Sequence, residues 1–297
     1  MIHVNHGHGH HHTGPPAARA NAGKRALIWA LALNTAFLIV EAAVGFYTGS
    51  LALLSDAVHM VGDVGSLAMA LGAAHLASQY ATSQRSFGFA RAEVLAAFLN
   101  SLVLVGAVVF IVAEAVERIR AGTPEVTPLP VFIVGGVGLA INLGSAYALF
   151  RADGENLNIR GALLHMMADA LGSLGAVIAA LFMMAGWQIA DPIASLVIGA
   201  LVLFGAIVLL KASAEVLLQF APSTIDVNEI RLSLSQIEKV VDIHDLHCWS
   251  LDGQEVILTA HIVVEGQEGE TIREAAATLL ETEYSIAHAT LQIETAD

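Results

Sequence analysis

Asp56, His59 and Asp63 stand in the run Leu53-Leu54-Ser55-Asp56-Ala57-Val58-His59-Met60-Val61-Gly62-Asp63, inside a long apolar segment. A charged side chain near the centre of a bilayer costs about 3 kcal/mol or more on insertion scales, so ionisable groups in such a place call for a function. Spacings of three and four residues gather all three on one helical face. The pattern returns as His165-Met166-Met167-Ala168-Asp169, again within an apolar run. Both copies read His-Met-x-x-Asp and continue to Gly-Ser-Leu, as Gly65-Ser66-Leu67 and Gly172-Ser173-Leu174. An imidazole and a carboxylate one helical turn apart can point at one ion. Two such helices face to face supply two nitrogens and two oxygens, a tetrahedral set suited to Zn²⁺. A lone intramembrane His–Asp pair reads equally as a proton relay or a polar pin between helices. Two pairs with matching spacing and flanks favour a metal site at His59, Asp63, His165 and Asp169. Asp56 is an accessory candidate that either tunes proton affinity or makes a packing hydrogen bond.

A second group lies near the C-terminus. His244 and His247 occur in His-Asp-Leu-His-Cys-Trp, with His261 and His288 further on, beside Asp245 and Glu294. Histidines from separate strands can converge on one end of a sheet, so these four form a candidate soluble cation site, with Glu294 accessory. Cys248, the sole cysteine, excludes an intrachain disulfide and is assigned to packing because Trp249 adjoins it.

The elements that must position these residues follow from composition. The chain of 297 residues is 56% hydrophobic and 13% charged, against about 25% charged in ordinary soluble domains, which marks a polytopic membrane protein. Six apolar segments are long enough to cross a core about 30 Å thick: 27–47, 51–76, 92–119, 129–150, 159–184 and 192–210. Together, residues 26–215 form a six-helix transmembrane domain. Residues 1–25, with His3, His6, His8, His10, His11 and His12, read as a disordered metal-gathering tail. With the N-terminus inside, eight basic residues fall on the cytoplasmic side and only Arg118 and Arg120 outside, which places both termini in the cytoplasm. In the first span Asn34 and Glu41 share a face, which suits a polar lining toward the bundle interior, while hydrogen bonding between helices is the preferred reading for the asparagines and serines.

After Pro222 the pattern is that of a small α+β domain in the order αββαβ, over 222–297. A helix is expected over 226–239 capped by Asp226, strands over 240–251 and 255–265 around Asp252-Gly253, a helix over 271–283 and a last strand over 289–294. That segment holds 15 Asp or Glu against three Lys or Arg, a balance that argues against nucleic acid and for attraction of cations.

These motifs resemble the cation diffusion facilitator family of proton-coupled divalent-metal exporters. The resemblance rests on Ser55-Asp56-Ala57-x-His59-x-x-x-Asp63, Arg91-Ala92-Glu93-Val94-Leu95, His165-x-x-x-Asp169, Asp191-Pro192, His244-Asp245-Leu246-His247 and His288-x-Thr290-Leu291-Gln292. It implies a homodimer, a six-helix membrane domain, a metallochaperone-like cytoplasmic domain, and a transport site mapping onto His59, Asp63, His165 and Asp169. His at both motif starts is similar to the zinc-exporting branch. The short Arg151–Arg160 connection lacks the His-rich loop of many eukaryotic relatives, which implies a bacterial plasma-membrane exporter.

Zinc requires neutral imidazoles and ionised carboxylates, so binding expels protons and protonation expels metal. The expected function is therefore zinc/proton antiport removing cytosolic Zn²⁺, with Co²⁺ and Cd²⁺ as further cargo and no resident cofactor. An intramembrane metallohydrolase would need a general base such as the Glu of His-Glu-x-x-His, which neither motif carries, so the chain is not expected to be an enzyme. A membrane-tethered metal sensor without transport is the remaining alternative, and it leaves the intramembrane ligands without a purpose.

Overall fold

The computed structural model describes residues 16–76, 82–152, 157–253, 255–266 and 268–296, except for the side chains of 16–30, 66–67, 70–71, 73–76, 148–152 and 157–165. Six long helices come first: Pro16–Thr48 (α1), Leu51–Leu76 (α2), Ala92–Ala121 (α3), Pro128–Ala152 (α4), Leu157–Met184 (α5) and Ala190–Leu217 (α6). Residues 16–25 are helical, against the expectation of a disordered tail through residue 25. Pro16 presets φ at the first helical position, and Ala17, Ala18, Arg19 and Ala20 are strong helix formers. Residues 1–15, which carry the six tail histidines, lie outside the described residues. At the other end α6 runs seven residues past the expected Leu210, where Lys211 and Glu215 pair at i, i+4.

Among the described residues five segments are long and apolar enough to cross a membrane: Leu31–Thr48, Ala92–Ala121, Pro128–Tyr147, Met166–Met184 and Ala190–Leu217. The bundle turns large apolar side chains outward, with Phe46 at 84%, Phe110 at 72% and Phe204 at 73% exposure, as a lipid-facing surface requires. Its interior is built on small side chains such as Ala52, Ala176 and Ala180 around Leu53, Val108, Val131 and Ile198. Close helix approach depends on this: a Cβ on Gly138 of α4 would lie 3.0 Å from Phe37 of α1 and 3.1 Å from Ser173 Oγ of α5.

The connection from α1 to α2 is a two-residue turn in which Gly49, at φ +72°, takes the left-handed position that ends α1. The start of α2 is capped from another helix. Asp191 in the first turn of α6, fully buried, accepts from Ser50 Oγ at 2.5 Å and from the amides of Leu51 at 2.7 Å and Ala52 at 3.3 Å. These would otherwise be orphan donors of a helix N-terminus. Arg118 of α3 donates to Gly49 O at 2.6 Å and to Glu114 at 2.9 Å.

The C-terminal part has Val227–Ser235 (α7), Val240–Ser250 (β1), Val256–Val264 (β2), Gly269–Tyr284 (α8) and His288–Thr295 (β3). Asp226 caps α7 through the amides of Asn228 and Glu229. The helix stops at Ser235, four residues before the expected Lys239, because Lys239 itself adopts φ +70° to turn the chain into β1. β1 pairs antiparallel with β2, and β2 pairs parallel with β3 through the α8 crossover. Ile230, Leu234, Ile272, Ala276 and Leu280 from the helices close over Leu258, Ala260, Ile262 and Val264 of β2. Strand alternation then leaves Thr259, His261 and Val263 on the other face.

Candidate metal centre

The face of α2 expected from spacing meets α5. The ligand atoms of His59, Asp63 and Asp169 lie within 4.8 Å of one another, and His59 Nε2 stands 2.9 Å from Asp169 Oδ1. All three side chains are half-buried, with His59 at 26% and Asp169 at 18% exposure, so the group is reachable while still shielded from bulk water. One nitrogen and two carboxylates at this spacing can close around an ion of zinc size. His165 lies in α5 one helical turn before Asp169, and its side chain is outside the described residues.

Asp56 stands beside this group rather than within it. It is buried, accepts from Ser173 Oγ of α5 at 3.0 Å, and leaves the group to His59, Asp63 and Asp169. Gly172 makes that approach possible, since a Cβ there would sit 2.5 Å from Asp56 Oδ1. Neither Ser173 nor Asp191 stood out as a functional partner in the sequence. Ser173 was visible only as part of the repeated Gly-Ser-Leu flank, and Asp191 only as part of the Asp191-Pro192 motif, and neither context says which helix the side chain meets.

On the sheet, His244 and His261 are register partners with ring centroids 5.1 Å apart. Glu294 of β3 reaches both, at 3.1 Å from His244 Nε2 and 2.9 Å from His261 Nδ1. Ligand atoms of the three lie within 4.8 Å of one another. The register of β1 slips between His244 and His247, where Asp245 takes φ +53°. This bulge re-aims Asp245 toward His247 at 3.0 Å and His261 at 3.8 Å. The hydrogen bond from His247, with the fields of His247, His261 and His244, holds the Asp245 carboxyl below the usual carboxylate range. Partial burial pushes Glu294 up, and the bonds from His244 and Gln292 more than offset it, so Glu294 also ends low.

His288 is not brought to this cluster. It pairs with Ile257 at the start of β2, six residues before Glu294 and so about 20 Å away along the strand. Glu294, expected as an accessory, sits at the centre instead. A parallel β2–β3 pair sends His288 to one end of the sheet and Glu294 to the other, and sequence spacing does not reveal that direction. Cys248 is buried, and burial pushes its thiol up, as fits a packing role.

Residues 27–218 match the cation efflux transmembrane domain, and residues 222–296 match the cation efflux protein, cytoplasmic domain. The chain belongs to the cation efflux family. It is a multi-pass membrane protein with a cytoplasmic C-terminal domain built on a small sheet. A cadmium, cobalt and zinc/H(+)-K(+) antiporter of Bacillus velezensis is 39% identical to it over 98% of this chain and 92% of that one. Zinc transporter ZitB of Escherichia coli K12 is 38% identical over 97% and 92%. The metal cation efflux system protein CzcD of Cupriavidus metallidurans is 37% identical over 98% and 90%.

Proposed function

We propose that this efflux-family chain is a zinc/proton antiporter that removes Zn²⁺, with Co²⁺ and Cd²⁺ as further cargo, from the cytosol of a bacterium across its inner membrane. In this reading α2 is the sixth span, 26 residues or about 39 Å long. Both termini are cytoplasmic, residues 26–215 form the transport domain, and residues 222–297 form the cytoplasmic half of a homodimer. His59, Asp63, His165 and Asp169 hold the cargo. His244, His261 and Glu294, with Asp245 and His247 beside them, form a second, regulatory cation site.

The observation that carries the reading is the 2.9 Å pairing of His59 Nε2 with Asp169 Oδ1 across α2 and α5. A proton shared by that nitrogen and that oxygen uses the lone pairs a divalent cation needs. Proton and metal therefore compete for one pair of atoms, which is the chemical requirement for exchange. Histidine titrates near 6.5 in ordinary surroundings, so a modest pH difference across the membrane changes which competitor wins. Rocking of α2 and α5 between the two sides would then load metal from the neutral side and release it to the acidic side.

The test is zinc flux into acid-loaded proteoliposomes. Native protein is expected to accumulate zinc and to alkalinise the lumen, while Asp63→Ala inserts normally and does neither. Equal flux in both would remove the site from the mechanism.

A further inference from the structure

Glu41 in α1 is fully buried, and among the described residues no donor reaches its Oε1 or Oε2. Across the α1–α2 contact its neighbour is Asp56, 3% exposed, and the two carboxyl groups lie within hydrogen-bonding reach. As two ionised carboxylates they would face acceptor to acceptor in an apolar interior, leaving Glu41 without a donor and placing like charges together. One proton between them turns the same approach into a charge-assisted O–H···O bond. The remaining charge rests on Asp56, which the Ser173 hydroxyl already serves.

Among the described residues, the spans around the pair offer it no fixed cation. The α4 helix, packed on α1, has no charged residue between Pro128 and Phe150. On α2 the titratable neighbours are His59 and Asp63, and on α5 Asp169. Glu93 and Glu114 lie near the two ends of α3, and Asp191 of α6 is taken up by Ser50 and the first amides of α2. His59 and Asp169 both act on Asp56 through their fields, and Asp56 lies one turn from His59.

We propose that Glu41 and Asp56 form a proton-holding site that discharges when a divalent cation enters the His59–Asp63–Asp169 group. This rests on the exporter reading above and adds a second place where the exchanged proton resides. Cation arrival supplies positive charge one turn away and stabilises the doubly ionised pair. The Glu41 O–H bond breaks, its electron pair stays on oxygen, and the proton passes to water. When the cation leaves, a proton from water restores the O–H bond. The device separates the proton seat from the metal ligands, so the proton need not leave through the cation itself.

The experiment counts protons released per zinc bound to the purified full-length chain, by calorimetry in buffers of different ionisation enthalpy. Glu41→Gln keeps a donor toward Asp56 and has nothing to release. It is expected to bind zinc and to release about one proton fewer per zinc than native protein at the same pH. Glu41→Asp, still a carboxylic acid, is expected to restore the count. A merely structural Glu41 would leave the count unchanged in Glu41→Gln, which overturns the inference while the exporter reading stands. Native protein that moves no zinc against a pH gradient in vesicles overturns both. If Glu41→Gln does not insert, zinc-difference infrared spectra of native protein and Glu41→Asp decide. A neutral carboxylic-acid carbonyl band that vanishes on zinc saturation, and that shifts in Glu41→Asp, supports the proposal. A band that persists, or none at all, overturns it.

Discussion

At the scale of single residues, His59 sets the character of the proposed transport site, because it contributes imidazole to a group otherwise made of carboxylates among the described side chains. Imidazole is a borderline ligand suited to zinc, while carboxylate is harder and accommodates longer bonds and more partners. His59→Asp is expected to keep zinc export and to raise the Cd²⁺-to-Zn²⁺ uptake ratio, measured by competition in acid-loaded vesicles. An unchanged ratio would assign selectivity to helix packing. Gly172 is the other residue whose identity the site fixes. Adding a methyl there would push into Asp56 Oδ1, so Gly172→Ala is expected to cost about 1–3 kcal/mol and to slow zinc flux several-fold, read by detergent melts and vesicle uptake. The grouping of His59 and Asp63 with Asp169 was legible because His-Met-x-x-Asp occurs twice, and a helical period converts that spacing directly into a face. The Asp56–Ser173 and Glu41–Asp56 contacts join different helices, and no periodicity within one helix encodes which neighbour a buried carboxyl will find.

At the scale of elements, α2 is placed by a cap that its own sequence does not supply. Asp191 satisfies two amides and one hydroxyl at its N-terminus while fully buried. Asp191→Ala leaves those donors unmet and is expected to destabilise the bundle by about 3 kcal/mol or more. Asp191→Asn, which retains an acceptor oxygen, should lose less, and the order of the two melting temperatures in detergent checks the assignment. The helices themselves were readable to within a few residues from hydropathy. Their ends were less so, because α1 and α6 extend through Ala-rich, polar stretches where propensity rather than apolarity keeps the helix going. The sheet shows the same division. Both hairpin strands and α8 fall where alternation and helical spacing put them, while the parallel partnership of β2 and β3 decides that Glu294, and not His288, joins His244 and His261.

At the scale of the whole molecule, two separate hydrophobic cores carry two separate groups of candidate cation ligands, and the C-terminal unit is expected to have its own pH response. A carboxyl whose folded value lies below its unfolded one stabilises the fold above the unfolded value, and that contribution drains away as pH falls through the folded value. Asp245 and Glu294 are both held low. Melts of residues 222–297 are therefore expected to show native protein more stable than an Asp245→Asn, Glu294→Gln variant above pH about 4, with the gap closing toward lower pH. A gap that widens on acidification would contradict the assigned directions.

The membrane unit is tied together at the rim where α1 turns into α2. Arg118 ties that turn to α3, Asp191 ties it to α6, and Gln188 joins the α5–α6 connection to the amide of Val126 between α3 and α4 at 3.1 Å. Together these bonds join the three connections on that side. Each bond contributes about 1 kcal/mol net, so the handful together favour the joined rim by a few kcal/mol. One proton falling through one pH unit yields about 1.4 kcal/mol, which is the same scale. Any movement of α2 that parts this rim must break those bonds, so opening that end costs energy on the scale that one pH unit supplies per proton.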